Sequence, residues 1–320
     1  MKWLKGLLIM TALLGPALWL VWQEVQKKHE IQGQTIIVSQ GSSLHHVSVQ
    51  LAEQDIITSP RLFRWWAKYQ GQTATLKAGE FYFSGHINIP DVLAKLVNGE
   101  VVLHRVTIPE GLRTVAVLQL LAQQTEIPLK QWQASLDGLL GKEVQEGRLL
   151  PETYTYRLPI KPKIILQSML KAQDEMLKDV PEKERNNIRI MASIIEKETA
   201  LKKERPWVAA VIRNRLALHM PLQMDPTVIY GIWKRDGVFS GNIHRKDLHT
   251  DTPWNSYTRK GLPPTPICNP SAASLRAAIN PADVNYLYFV ANGTGGHAFA
   301  ASLAEHQRNV HAWVNLERQP

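Results

Sequence analysis

Residues Gly6 to Trp22, GLLIMTALLGPALWLVW, run 17 positions without a charge. A run of that length is the shortest that crosses a bilayer as a helix, so it withdraws the head of the chain from any soluble core. Lys2 and Lys5 precede it, Glu24, Lys27 and Lys28 follow it, and Trp3, Trp19 and Trp22 lie at its ends. Indole rings prefer the headgroup layer, and cations on a very short tail keep that tail cytoplasmic. Pro16 is tolerable inside a membrane helix. A cleaved signal peptide is the rival, but the run ends Leu-Trp-Leu-Val-Trp with no clear small-x-small cleavage site. The expectation is a single-pass anchor through residues 6–22 in the inner (cytoplasmic) membrane. The N-terminus is then cytoplasmic and the remainder periplasmic, with residues 1–30 as anchor and stalk.

The exported part must fold unaided. In the 320-residue chain, 44% hydrophobic and 20% charged residues suit two globular units rather than disorder. A single cysteine, Cys268, excludes an internal disulfide and a cysteine-based zinc site. The net charge of +9 selects an anionic partner, whether nucleic acid, lipid headgroups or an acidic polymer. It is spread along the chain, and an exported protein meets no nucleic acid routinely, so none is expected. His45, His46, His244 and His249 form no metal set and no Gly-rich phosphate loop is present, so no cofactor is expected.

Sliding the chain on itself by 70 positions reveals an internal repeat. Ile36, Val38, Gly41, Val47, Leu51, Ala52, Gln54 and Ile57 fall on Val106, Ile108, Gly111, Val117, Leu121, Ala122, Gln124 and Ile127. Each copy reads as a strand, a turn at glycine and a helix. Between them lie a helical pattern over Leu62–Tyr69, a strand-like Gly79–Phe83 and a short amphipathic helix over Asp91–Leu96. The boundaries that follow are a βα module over 31–128, a less regular connection over 129–181 that contributes to a cleft, and a catalytic unit over 182–320. The βα module serves either to hold an extended polymer or to set distance from the membrane. In the last unit, Glu184–Thr199 and Glu204–His219 read as helices, with Pro206 in a first turn. Loops follow Pro221, up to a strand at Tyr286–Val290 and a helix at Ser302–Leu316.

The sharpest local pattern is Met191 to Thr199, MASIIEKET. At 100° per residue, Ile188, Met191, Ile194, Ile195 and Glu198 share a face, and Glu196 falls with Arg189, Ala192 and Ser193. Desolvation at the end of an apolar stripe raises a carboxyl pKa and suits Glu198 to general acid work, while Glu196 is expected to sit ionised beside Arg189. The alternative is two surface charges at a helix end. Downstream, Leu222–Gly231 and Pro253–Pro264 alternate hydrogen-bonding side chains with aromatics and prolines. Such mixtures suit sugar rings, and they equally suit a network that stabilises turns. An acyl-transfer pair of Cys268 and His297 is disfavoured, since the flanking ICNP offers nothing to lower a thiol pKa.

MASIIEKET, LQMDPTVIYG, NSYTRKGLPPTPICNP, YLYFVANGTGGHAFAASLAEH and the upstream EGRLLPETY resemble the endolytic murein transglycosylases of the YceG-like (MltG) family, most strongly from Met191 to His306. The resemblance implies an α+β architecture: an N-terminal transmembrane helix, a LysM-like βα module and a YceG-like catalytic domain. It implies a lytic transglycosylase acting on peptidoglycan glycan strands, with peptidoglycan synthases as partners. It places the catalytic glutamate at Glu198. Gln223, Asp225, Thr227, Tyr230, Asn255 and Tyr257, together with Glu152 and Tyr154, are the expected substrate-positioning residues. Asp225 is also a candidate second carboxylate for a muramidase, and a glycan-binding scaffold without activity is the third alternative. Thr265 and Ser271 stand where the family's GLPPGP and NPG turns carry glycine.

Overall fold

The computed structural model describes residues 15, 16, 18–141, 143–239 and 241–317. The expected membrane span falls largely outside them. Residues 18–26 are helical, and among the described residues no helix is long and apolar enough to cross a membrane.

The chain forms two units, Met1–Arg105 with Thr155–Ile160, and Val106–Tyr154 with Lys161–Pro320. In the first, β1 (His29–Val38) and β2 (Gly79–Ile87) pair antiparallel, with a register shift between Ile31 and Gln34. Ile31 and Ile36 have opposite parity along the strand, yet both are buried, which the skipped register allows. Gly33, at φ +89°, makes the bulge, and a Cβ there would stand 2.8 Å from the Tyr82 hydroxyl. Two helices connect the strands, α1 (Leu44–Glu53) capped by Ser43 and α2 (Pro60–Tyr69) capped by Ser59, giving a βααβ order. The third, α3 (Ile89–Asn98), starts on a capping box of Asn88 and Asp91 and ends at Gly99 with φ 72°. Val47, Leu51, Phe63, Phe81, Phe83 and Leu96 fill the core of this unit.

The second copy of the repeat has the local form of the first, β3 (His104–Thr107), a turn at Gly111 and α4 (Thr114–Thr125). The unit boundary at Arg105/Val106 runs through it, inside the 31–128 span drawn from the sequence, so the two copies build different cores.

The less regular stretch expected from Gln131 to Lys178 is mostly helical: α5 (Leu129–Leu140) and α6 (Pro162–Met176) flank β4 (Thr153–Tyr156), which pairs with β3. Helix α6 buries Ile165, Leu166, Met169 and Leu170, a helical stripe that Pro162 in its first turn does not interrupt. Helices α7 (Glu182–Glu198) and α8 (Arg205–Ala217) lie as the sequence predicts, with Pro206 in the first turn of α8. Past Pro221, where loops were expected, stand α9 (Asp225–Asp236), the short α10 (Arg245–His249) and α11 (Ala272–Ile279). The hairpin β5 (Tyr288–Ala291) and β6 (His297–Ala300) and the helix α12 (Leu303–Glu317) follow. The core of this unit centres on α7, α8 and α11, through Ile194, Ile195, Val208, Val211, Ile212 and Leu275.

Candidate active site

Helix α7 is buried on all sides from Ile190 to Ile195, so the contrast between its two glutamates comes from their partners rather than from one wet face. Glu196 does not meet Arg189, which binds Gln173 and Asp174 instead. Its partner is Arg205, at 3.1 Å, and the two side chains are 5% and 4% exposed. The other Glu196 oxygen accepts from the Ser271 amide at 2.9 Å and the Ser271 hydroxyl at 2.5 Å. Glu196 thereby ties α7 to the start of α11.

Glu198, the last residue of α7, has a buried Oε1 with no hydrogen-bond partner. Burial first, and the charge of Asp225 second, push its carboxyl up to about 8, with Arg215 pulling the other way. The C-terminal end of the helix dipole adds to the preference for the neutral form. Asp225 stands at the other kind of helix end, in the first turn of α9. Its Oδ1 accepts from the Tyr257 hydroxyl at 2.6 Å. Burial, and then that bond to Asp225, raise the Tyr257 phenol above its ordinary range, so it stays a donor.

Gln223 precedes α9 at φ 51°, a left-handed position rarely taken by a residue with a side chain, and its amide donates to the Ser256 carbonyl at 3.1 Å. Its side chain is exposed beside Asp225. Glu198, Asp225, Tyr257 and Gln223 are thus brought to the junction of α7, α9 and the 253–264 loop.

Of the remaining expected residues, Thr227 and Asn255 hold the frame. Thr227 is 0% exposed, and its hydroxyl lies 2.6 Å from the Met224 carbonyl, to which it donates, and 2.8 Å from the Ser256 hydroxyl. Asn255, also 0% exposed, donates to the carbonyls of Asp247, Leu248 and Thr250 and accepts from the Tyr257 amide at 2.8 Å. Neither presents a group to solvent; each fixes the loop that carries Tyr257. Tyr230 is tied to Glu146 at 3.4 Å and packs edge-on against Trp254. Tyr154 spends its hydroxyl on the Leu150 carbonyl, and the Glu152 side chain is exposed.

The sequence reading passed over two groups. Arg215 is 7% exposed, donates to the carbonyls of Leu222 and Leu287, and stands over the Tyr288 ring, from where its charge reaches Glu198. Glu146, within the quoted EGRLLPETY, is the carboxylate of that segment that goes inward: it accepts from the Thr114 amide at 2.8 Å and hydroxyl at 3.0 Å, and burial raises its pKa. An exposed polar stretch and a buried one look alike when the partners lie far away in sequence.

Cys268 and His297 form no catalytic pair. The thiol is buried, donates to the Ser193 carbonyl at 3.4 Å, and is pushed up by burial, opposite to what a nucleophile needs. His297 is held by Glu204, at 3.0 Å through its amide and 2.7 Å through Nδ1. Thr265 and Ser271 need no glycine, since neither has positive φ; Thr265 accepts from the Trp254 indole and Ser271 caps α11.

Along α9 a cavity of about 630 Å³ is walled by Pro226, Ile229, Tyr230, Trp233 and Ile267, with Arg113 and Lys197 as its cations.

Comparison with known proteins shows the family. The model of the YceG-like family matches residues 36–312. An endolytic murein transglycosylase of Bacillus subtilis (strain 168) is 29% identical over 313 residues, covering 89% of this chain and 86% of that protein. The endolytic murein transglycosylase of Streptococcus pneumoniae serotype 2 is 29% identical over 326 residues, and the match spans 88% of this chain but 58% of the pneumococcal protein. The crystal structure of a YceG-like protein from Listeria monocytogenes aligns with a TM-score of 0.55 at 30% identity, over 87% of this chain and 98% of that one. With that match over most of its length, the chain belongs to the YceG-like family.

Proposed function

We propose that this protein is an endolytic lytic transglycosylase of peptidoglycan that cleaves the bond between N-acetylmuramic acid and N-acetylglucosamine in nascent strands. The observation that carries the reading is Glu198: a carboxyl pushed up to about 8 with one buried, unpartnered oxygen is still protonated at neutral pH and free to donate. Its proton goes to the linking oxygen as the C1–O bond breaks. The resulting carboxylate then takes the proton of the muramic C6 hydroxyl as that oxygen bonds to C1, leaving a 1,6-anhydro end. No water is consumed, and intramolecular attack supplies the proximity that a hydrolase must build. Asp225, at the start of α9, places a carboxyl group near the developing oxocarbenium, and Tyr257 orients it. Gln223 is left to meet the sugar.

A two-carboxylate muramidase is favoured by one observation, that Asp225 is close enough for its charge to raise Glu198. Product analysis separates the two: mass spectrometry of digested strands gives anhydro ends for the transglycosylase, and reducing ends overturn it. Undiminished cleavage by Glu198→Gln would move catalysis elsewhere, and an absence of cleavage by the wild type would leave a glycan-binding scaffold.

The βααβ unit supports a LysM-like module that holds the strand, and the uncharged run at residues 6–22 supports a single-pass anchor in the cytoplasmic membrane with the catalytic unit outside. That placement puts the enzyme beside the peptidoglycan synthases, its expected partners.

A further inference from the structure

We propose that the cavity along α9 binds the carboxylate-bearing stem peptide carried by the muramic residues, through Arg113 and Lys197. The inference rests on the peptidoglycan reading above. Two of the lining residues, Lys197 and Pro226, adjoin Glu198 and Asp225 along the chain, and the cavity continues past Trp233 to Val238 and Phe239. Pro226 to Trp233 spans roughly 10 Å of helix, and an extended peptide covers that in about three residues. The volume, about 630 Å³, lies in the range of small-ligand sites.

The chemistry of the walls selects the occupant. No carboxylate lines the cavity, and neither the Arg113 nor the Lys197 side chain has a hydrogen-bond or ion-pair partner among the described residues. The carboxylate nearest Arg113 in effect, Glu146, is engaged by Thr114 and Tyr230. The Arg113 guanidinium lies on the Trp233 ring at 3.4 Å. That stacking covers the indole face a sugar ring would use, and it leaves the in-plane N–H groups of the guanidinium free to grip a carboxylate with two bonds. Burial pushes the Arg113 guanidinium down, with the charge of Glu146 pulling the other way. An anion with apolar segments completes both walls and charge; a neutral sugar completes neither.

The test uses the full chain on two preparations of glycan, one with intact stem peptides and one stripped by an amidase. Wild type should show a KM about tenfold lower on the peptide-bearing strands. Arg113→Gln should abolish that preference, with its melting temperature checked in parallel, and Lys197→Gln, at an exposed position, should weaken it. In Glu198→Gln, a synthetic stem tripeptide with free carboxylates should bind by calorimetry and its amidated form should not. Equal wild-type KM on both strands, or an equal loss by Arg113→Gln on both, overturns the stem-peptide site alone. Absence of anhydro ends from either preparation overturns the transglycosylase reading instead.

Discussion

Glu198 and Asp225 carry the same functional group and occupy opposite helix ends, one at the negative pole of α7 and the other at the positive pole of α9. The consequence is measurable in pH. With Glu198 raised to about 8 in the folded state, kcat/KM for strand cleavage should fall above an apparent pKa near 8. Asp225→Asn removes the charge that helps to raise it, so that limb should shift to lower pH. The stability sign runs with the proton: the folded state holds this proton between the ordinary glutamate range and about 8 while the unfolded chain has lost it, so stability declines as pH rises through that window. Glu198→Gln is therefore expected to lower cleavage at least a hundredfold while raising thermal stability at pH 7, by up to about 3 kcal/mol. Calorimetry reads the second effect, and a lower melting temperature would contradict it.

At the scale of elements, the site depends on joints that hold α7 and α9. Glu196→Ala takes the 3.1 Å partner from the Arg205 guanidinium, 4% exposed, and leaves it Glu110 at 3.4 Å and the Ser271 hydroxyl, so it should cost about 1–3 kcal/mol in urea unfolding. Helix α9 was hidden from sequence reading because Pro226 and Gly231 are ordinarily punctuation. The proline sits in the first turn, where no N–H is required, and the glycine is there for proximity: a Cβ at Gly231 would stand 2.2 Å from the Thr252 hydroxyl. Gly231→Ala, which ordinarily strengthens a helix, should here destabilise by about 1–3 kcal/mol, measured as a fall in the denaturation midpoint.

For the whole molecule, the surplus of +9 suits an acidic wall polymer, with Lys27 and Lys28 close to the proposed membrane surface. The full chain should sediment with membranes, and a form lacking residues 1–22 should be recovered in the soluble fraction with its cleavage of free strands retained. The repeat shows where sequence and structure part. Ile36–Ile57 and Val106–Ile127 each yield strand, glycine turn and helix, because alternation and a 3.6-residue period are local properties of the chain. Which core each copy joins is decided by distant segments, and the unit boundary separates them. The apolar stripe ending in Glu198 was likewise legible in MASIIEKET. The desolvation that raises its carboxyl was legible there too, but the charges of Asp225 and Arg215 that act on it were not, since they arrive from α9 and α8. The sequence by itself determined α7 and α8, the family and the apolar stripe that ends in Glu198. Only the tertiary structure decided that Glu196 pairs with Arg205, that Thr227 and Asn255 brace a loop, and that Arg113 lies on Trp233. Hydrogen bonds and dielectric environment are properties of neighbours in space, and a linear pattern records only neighbours along the chain.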